Sequence, residues 1–327
     1  MEVGIFVLDG VADLGLAAVR EVLNMANSLR AELDCPPPAW HVRALGIGDS
    51  VRSSSGYHIP TTPVTTLTGQ SDLLIVPAVN VLDIDALIEM VSSAQHRRVI
   101  ELIAEAGERG VTLAAGCTGT FFLAESGVLD GAMATTSWWL GPAFRRRYPK
   151  VELEIDRILC RSGRVTTAGA SLSQLDLALS LVHSRSPALA ELVARYLMVG
   201  NRHSQLGFLI PRVVARADPL LAAFERWVRE NLSNHFRISV AARTLGVTER
   251  TLQRATAAEL GMSPRDFVNA IRVEQATRLL RETTLTVEAV AARVGYLNGA
   301  TLRALIRRQG LAIADIRAAR APWQLPY

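Results

Sequence analysis

The hydrophobic positions of this chain change their period past its middle. Over residues 1–185 short apolar runs alternate with longer stretches of helical period. Gly4–Leu8 (GIFVL), Val42–Ile47, Leu73–Val76 (LLIV) and Val111–Ala115 (VTLAA) are apolar runs of the kind that form strands buried on both faces. Between them Leu14–Leu29, Gln95–Glu108 and Leu172–Val182 predict helices. This alternation predicts an α/β N-terminal domain with a doubly wound, flavodoxin-like parallel sheet. From Leu220 onward strand signals vanish, which predicts an all-α C-terminal domain. Residues Ser184–Asp218, with Pro187 and Pro211 and followed by Pro219, read as a helix and then a connector. The expected organisation is a domain over 1–185, a connector over 186–218 and a second domain over 219–327.

A single pattern occurs twice within the helical region. SVAARTLGV followed by TERTLQRATAAELGMSP, and TVEAVAARVGYLNGATLRALIRRQG (Thr286–Gly310), each read as a short helix, a Gly-centred turn and a second helix rich in Arg. That is the form of a helix-turn-helix, whose second helix enters a DNA major groove. In the first unit Thr248 is a good N-cap and Glu249 suits the positive end of the helix. Leu252 and Leu260 face inward, leaving Arg250, Thr251, Gln253 and Arg254 at the exposed N-terminal end. Arg suits guanine O6/N7 and Gln suits adenine N6/N7. An ordinary surface helix would also carry Arg and Gln; the preceding helix and turn favour the DNA reading. The stretch PRDFVNAIRVEQATRLLRETT joins the units, with Phe267, Ile271, Ala276 and Leu279–Leu280 as its apolar side. A helix of about 17 residues spans about 25 Å. With its supporting helices it would set two recognition helices in grooves roughly 34 Å apart.

Charge follows the same division. Residues 220–327 hold 16 Arg and 9 acidic residues, a net of +7, whereas residues 1–219 carry −3 of the overall +4. The basic half is the one a polyanion would meet. A hydrophobic content of 49% excludes a disordered chain. No apolar run reaches the roughly 18 residues of a membrane span. MEVGIFVLDG lacks the basic start of a signal peptide and reads as a first strand. Cys35, Cys117 and Cys160 are far apart and have no metal-ligand spacing, and His41, His58, His96 and His203 are scattered. The expected compartment is the cytoplasm, with no metal and no cofactor.

The segment GMSPRDFVNAIRVEQATRLLRETTLTVEAVAARVGY resembles the AraC/XylS family of transcription regulators over about the last 95 residues. The resemblance implies a seven-helix domain in which Arg250, Gln253 and Arg254 match base- or phosphate-contacting places. The second unit departs from the family: it is one residue shorter between Gly295 and Gly310, so Arg303 or Ala304 takes the usual Arg position. Arg303 is preferred, because a turn absorbs a deletion more readily than a helix. Gly299 and Ala300 stand where longer polar residues are common, Ile313 replaces a proline, and Thr256 replaces a core aromatic. The first unit is therefore expected to carry most specificity. Asn298, Arg303, Arg307 and Arg308 complete the expected DNA contacts, the three arginines mainly on phosphate.

In VTLAAGCTGTFFLAESGVLDG the form is strand, Gly-x-Cys-x-Gly, helix. A Cys on such a turn is expected to expose its sulfur beside a helix N-terminus, favouring thiolate; the Gly pair could equally serve the backbone alone. GIFVLDGVADLGLAAVREVLNMAN, SDLLIVPAV, AAGCTGTFFLAESGVLDGAMATTSWW and VTTAGASLSQLDLALSLV together resemble the ThiJ/PfpI branch of the class I glutamine-amidotransferase-like fold over residues 1–185. RHSQLGFLIPR (Arg202–Arg212) looks like the connector of regulators that fuse this domain to an AraC-type tail. Active relatives give the cysteine a His and an acidic partner. Here those positions are Ser137 and Gly15, and the usual Gly pair after the third strand is Ala78–Val79. The expectation is no enzyme: Cys117 is vestigial, and Asp13, Asn80, Cys117, Thr118, Ser137 and Trp138 line a pocket for a small effector. The resemblance implies an amino acid, a betaine-like amine or a related nitrogen compound. Trp138 or Trp139 could stack on a cationic head, or both could simply pack in the core. Expected partners are double-stranded promoter DNA, that effector, RNA polymerase for an activator, and a second copy in a homodimer. The alternative is a retained cysteine hydrolase or amidase activity with Asp13 or His58 as base, or a redox sensor at Cys117.

Overall fold

Strands buried on both faces satisfy their backbones only through one another, and the apolar runs of the first half do so in a single sheet. The computed structural model describes residues 1–64, 71–199, 210–215, 218–308 and 311–318. Two compact units result: Met1–Leu140 with Phe144–Arg202, and Gly141–Ala143 with His203–Tyr327. The strands of the first unit are β1 (Glu2–Phe6), β2 (His41–Gly46), a hairpin of β3 (Ser50–Arg52) and β4 (His58–Pro60), β5 (Thr62–Pro63), β6 (Leu73–Val76), β7 (Thr112–Gly116), the short pair β8 (Met133–Ala134) and β9 (Glu152–Leu153), β10 (Leu159–Ser162) and β11 (Val165–Ala168). The sheet order is β10-β11-β7-β6-β1-β2-β5, parallel except for β10. Counting only the long parallel strands, β2-β1-β6-β7-β11 is the flavodoxin-like order, with its reversal between β1 and β6.

Helices α1 (Asp13–Leu29), α2 (Ile84–Ser92), α3 (Arg97–Glu108), α4 (Gly119–Glu125), α5 (Gly141–Arg147), α6 (Ser173–His183) and α7 (Pro187–Tyr196) accompany these strands. The side-chain alternation of the strands divides the core of the first unit in two. Val3, Ile5, Leu73, Ile75 and Ala114 pack with α1, α6 and α7 on one face. Phe6, Leu74, Val76, Leu113 and Ala115 pack with α2, α3 and α4 on the other. The connector expected over 186–218 is not uniform: Leu189, Ala190 and Val193 of α7 are buried in the sheet unit's core. Ser186 caps α7 by accepting from Leu189 N–H, so the chain continues into that core instead of leaving it. Residues 202–209 of the connector resemblance lie outside the described residues.

The second unit is helical: α8 (Pro211–Ala215), α9 (Pro219–Glu230), α10 (Ile238–Thr244), α11 (Glu249–Leu260), α12 (Pro264–Glu282), α13 (Val287–Arg293), α14 (Gly299–Arg308) and α15 (Ile313–Ala318). Asp218 caps α9 through Leu221 N–H at 2.9 Å. The bridging helix α12 is 19 residues long, about 28 Å at 1.5 Å per residue. Its expected apolar side omitted Val268, Arg272 and Val273, all buried, while Leu279 is only half-buried. The reason is that α12 packs against α9 and α11 as well as α13, α14 and α15, so more than one of its faces is covered.

One close approach fixes the turn after β7. A Cβ on Gly119 would stand 2.4 Å from the Val76 carbonyl oxygen and 2.8 Å from that of Pro77. These are backbone atoms of the neighbouring strand end and cannot swing aside. Gly119→Ala should lower the stability of the full chain by about 1–3 kcal/mol, read as a lower midpoint in urea, whereas Gly48→Ala, where a Cβ meets nothing within 4 Å, should cost less.

Candidate functional site

The elbow forms where β7 ends. Cys117 has φ +56°, a left-handed conformation rare outside glycine, and its N–H donates to Ala168 O at 3.0 Å. Thr118 and α4 follow directly. The geometry is that of a nucleophile turn, but the sulfur is not exposed as expected: Cys117 is 4% accessible. Burial pushes the thiol up, outweighing hydrogen bonds from Ser137 and Thr118 that favour the thiolate. Ser137 Oγ donates to Cys117 Sγ at 2.8 Å. The residue in the place of the family's histidine therefore does meet the sulfur, as a hydroxyl with no basic nitrogen.

The loops around the elbow are knit together. Thr118 Oγ1 donates to Val79 O at 2.8 Å and accepts from Val79 N–H at 2.9 Å. The backbone N–H at the position of the family's Gly pair is thus already engaged. Ala12 N–H donates to Ala78 O, and Asn80 N–H donates to Gly10 O, each at 2.8 Å, which joins the loops after β1 and β6. Thr135, Thr136 and Ser137 are fully buried, and Thr136 Oγ1 donates to Cys117 O at 2.7 Å.

The other expected pocket residues are placed differently. Asp13 opens α1 and accepts from Ser54 Oγ and Ser55 N–H, both at 2.9 Å. Hydrogen bonds from Ser53, Ser54 and Ser55 hold its carboxyl down to about 2, against the desolvation that raises it. It anchors the β3–β4 turn and is a poor base. His58 lies on the exposed hairpin against Arg52 Nη2 at 3.1 Å. Asn80 is exposed, and Trp138 is half-buried edge-on to Trp139, with ring centroids 5.3 Å apart. Trp139 packs against the core.

One residue escaped the sequence reading. Gln174, at the start of α6, is fully buried, and its amide oxygen and nitrogen have no hydrogen-bond partner among the described residues. A Cβ on Gly116 would stand 2.3 Å from Gln174 Nε2, and one on Gly15 would stand 3.3 Å from Gln174 Cγ. A neutral amide therefore lies beside the position where the family places its acid. A lone Gln in an apolar helix carries no local signal of this.

In the second unit both recognition helices are capped as their sequences demand. Thr248 Oγ1 accepts from Thr251 N–H at 3.1 Å, and Gly261 closes α11 at φ +67°. Arg250, Gln253 and Arg254 are exposed on one side of α11, opposite the buried Leu252, Thr256 and Leu260. Thr251 is half-buried and its hydroxyl is 2.8 Å from that of Thr248, so it is less free than expected. Thr256 fills the place of an aromatic and donates to Gln253 O at 3.1 Å. In the second helix Asn298 Oδ1 accepts from Thr301 N–H at 3.0 Å and so serves the cap. Arg303 Nη2 is 2.9 Å from Glu288 Oε1 of α13. A Cβ on Gly299 would stand 2.7 Å from that same oxygen, so the small residue makes room for this ion pair. Arg250, Arg254, Arg307 and Arg308 are exposed and have no ion-pair partner among the described residues.

Among the described residues no helix is long and apolar enough to cross a membrane, and no group of three His, Cys, Asp or Glu is arranged to hold a metal. Cys35, Cys117 and Cys160 are free thiols.

Two capped helix-turn-helix units on one rod, joined to a doubly wound domain whose cysteine elbow meets a serine hydroxyl, define a DNA-binding transcription regulator. A helix-turn-helix domain family matches residues 241–311. HTH-type transcriptional regulator CdhR of Pseudomonas aeruginosa is 28% identical over 297 residues, 88% of this chain and 83% of that protein. HTH-type transcriptional regulator GbdR of the same species is 26% identical over 302 residues, 90% and 78% of the two chains. The fold is shared with an AraC family transcriptional regulator from Pseudomonas putida (TM-score 0.51, 22% identity, 60% of this chain and 98% of that one). A THiJ/PfpI family protein from Pseudomonas syringae gives TM-score 0.50 at 19% identity, over 62% and 76% of the chains. The chain is thus similar to HTH-type transcriptional regulators over most of its length, and its first unit shares the fold of ThiJ/PfpI-type proteins.

The elbow chemistry is open to titration. Alkylation of Cys117 in the full chain, with Cys35 and Cys160 replaced by Ser, should show an apparent pKa above the roughly 8.5 of a free thiol. Ser137→Ala should raise it further, since the hydroxyl donates to the sulfur. A value below the free-thiol figure would overturn the assignment of a neutral, buried thiol.

Proposed function

We propose that the N-terminal unit senses a small nitrogen metabolite at the elbow and that its occupancy sets how a pair of C-terminal units engages DNA half-sites. The observation that carries this reading is the contrast at Cys117. The costly left-handed turn is kept, yet the sulfur is buried beside Ser137 and no base among the described residues reaches it. A turn retained without its chemistry supports a binding role. Asn80 offers an exposed amide there and Trp138 a half-buried ring for a cationic head, above Thr118 and Ser137, whose buried hydroxyls are engaged with Val79 and Cys117. Asp13 enters as the residue that fixes the neighbouring hairpin. A homodimer is included in the proposal, since paired half-sites need paired readers. The site-residue assignments divide the DNA contacts: Arg250, Gln253 and Arg254 read bases, while Arg303, Arg307 and Arg308 hold phosphate. For an activator RNA polymerase is the further partner, and the cytoplasm is the compartment this function requires.

Coupling between the two units must appear as differential affinity of the effector for DNA-competent and DNA-incompetent states. A thermal-shift screen of amino acids and quaternary amines on the full chain should find a compound that raises Tm, because binding stabilises the folded form by mass action. Asn80→Ala, at an exposed position, should reduce that shift while leaving the Tm of the unliganded protein nearly unchanged. A shift that survives both Asn80→Ala and Trp138→Ala would move the effector away from the elbow.

The DNA roles separate by salt dependence. On a duplex selected from random sequence, Arg254→Ala should weaken binding to the selected site more than to unrelated DNA. Arg307→Ala should weaken both alike and lower the salt slope by about one unit. Equal losses from both variants on both duplexes would reject the division.

A further inference from the structure

The second unit contains a concavity of about 580 Å³ that reaches Glu249 at the start of α11 and Asn298 and Thr301 at the start of α14. It lies beside the N-terminal ends of both recognition helices. Its lining also includes Arg237, Arg265 and Arg272, against Glu249 as its one acidic residue. Arg237 and Arg265 are exposed and form no ion pair among the described residues.

Arg272 is the second, independent observation. It is 9% accessible, yet no carboxylate partners it among the described residues. Its Nε has no hydrogen-bond partner, and Nη2 donates to the Asn234 carbonyl at 3.1 Å. The guanidinium carbon stands 5.3 Å from the centre of the Phe236 ring and 5.1 Å from that of Tyr296. The surroundings are shaped for it: a Cβ on Gly295 would come within 2.7 Å of Nη2, and Gly295 has φ +79°. Burial works against the charged form. A guanidinium held by two rings and a carbonyl keeps its charge uncompensated among the described residues, in a low-dielectric wall where that charge acts more strongly.

We infer that this concavity is an anion seat that takes a phosphate group, with Arg272 as its fixed charge and Arg237 and Arg265 as its movable ligands. Two sources share that chemistry. One is a phosphodiester of the DNA strand running between the two grooves, which rests on the placement of α11 and α14 proposed above. The other is free phosphate or a phosphorylated metabolite, which would compete with DNA for the same seat. Arg265 and Arg237 lie outside the base-reading set, so their loss should leave the preference among DNA sequences intact.

Two measurements on the full chain decide this. In the first, DNA affinity is followed against KCl for the wild type, Arg265→Ala and Arg237→Ala. A seated phosphodiester lowers the slope by about one unit per variant and weakens selected and unrelated duplexes alike. In the second, inorganic phosphate is titrated at constant ionic strength while Tm is recorded. A seat for the free ion gives a rise that both variants lose. Either result supports the seat and identifies its source. If both variants keep the wild-type slope and phosphate leaves Tm unchanged, the seat is rejected. A wild type that binds no selected duplex would instead sink the DNA-contact assignment, and the phosphate titration would still decide the seat. Arg272→Met removes a packed side chain and serves only where circular dichroism shows it folded.

Discussion

Along α12 a single rod supplies the interior of two helix-turn-helix units. Phe267 and Ile271 are buried near its beginning, where Phe267 meets Phe224 of α9 with ring centroids 5.9 Å apart. Ala276 and Leu280 are buried near its end, in the cluster that α13 and α14 complete. A unit of two short helices has too little apolar surface to bury alone. Sharing one helix solves this for both, and it removes any flexible linker between the readers. Their separation becomes a property of helix geometry, about 1.5 Å per residue. Arg272 sits between these two stretches, which is why a charged residue can be enclosed there while the helix carries apolar contacts on either side.

At the elbow, two electrostatic influences oppose each other. The start of a helix favours an anion, and that argument alone predicts a thiolate at Cys117. Desolvation of a thiol with 4% accessibility opposes it and prevails. α4 is only seven residues long, a short helix to set against full burial. The remaining polar groups are turned toward structure: Thr118 to Val79, Thr136 to the Cys117 carbonyl, Asp13 to the hairpin. A site that spends its hydrogen bonds this way is rigid without being reactive, which suits recognition better than catalysis.

What was legible in the sequence was whatever left a local periodic trace. The central strands are apolar on both faces, so LLIV at Leu73–Val76 announces β6 directly. The hairpin β3–β4 has no such run; it is held by Asp13 from some forty positions away, and a non-local hydrogen bond leaves no pattern. The cap Thr248 was readable because it depends on its own few neighbours. Gln174 and Arg272 were not. Each is a polar residue in a helix and looks like a surface position until the elements packed against it are known. The resemblance placed Ser137 and Gly15 where a basic and an acidic partner would stand, whereas the burial of the sulfur needed the fold.

The asymmetry of the two readers has a physical basis beyond the missing residue in the second. On α11 the exposed Arg250, Gln253 and Arg254 have no competing ion pair among the described residues, which suits the base-reading role proposed for them. On α14 the corresponding tip is Gly299, small because Glu288 and Arg303 meet across it. Exposed pairs of this kind are weak because solvent screens them, so a phosphate can displace Glu288 at modest cost. The Asn298 oxygen is used by the helix cap, and releasing it would cost helix stability. A second reader with a yielding ion pair and a committed cap is suited to gripping the backbone at the distance α12 sets. On the proposed division of roles the first unit would choose the sequence, and the rod would convert that choice into a fixed register for the second.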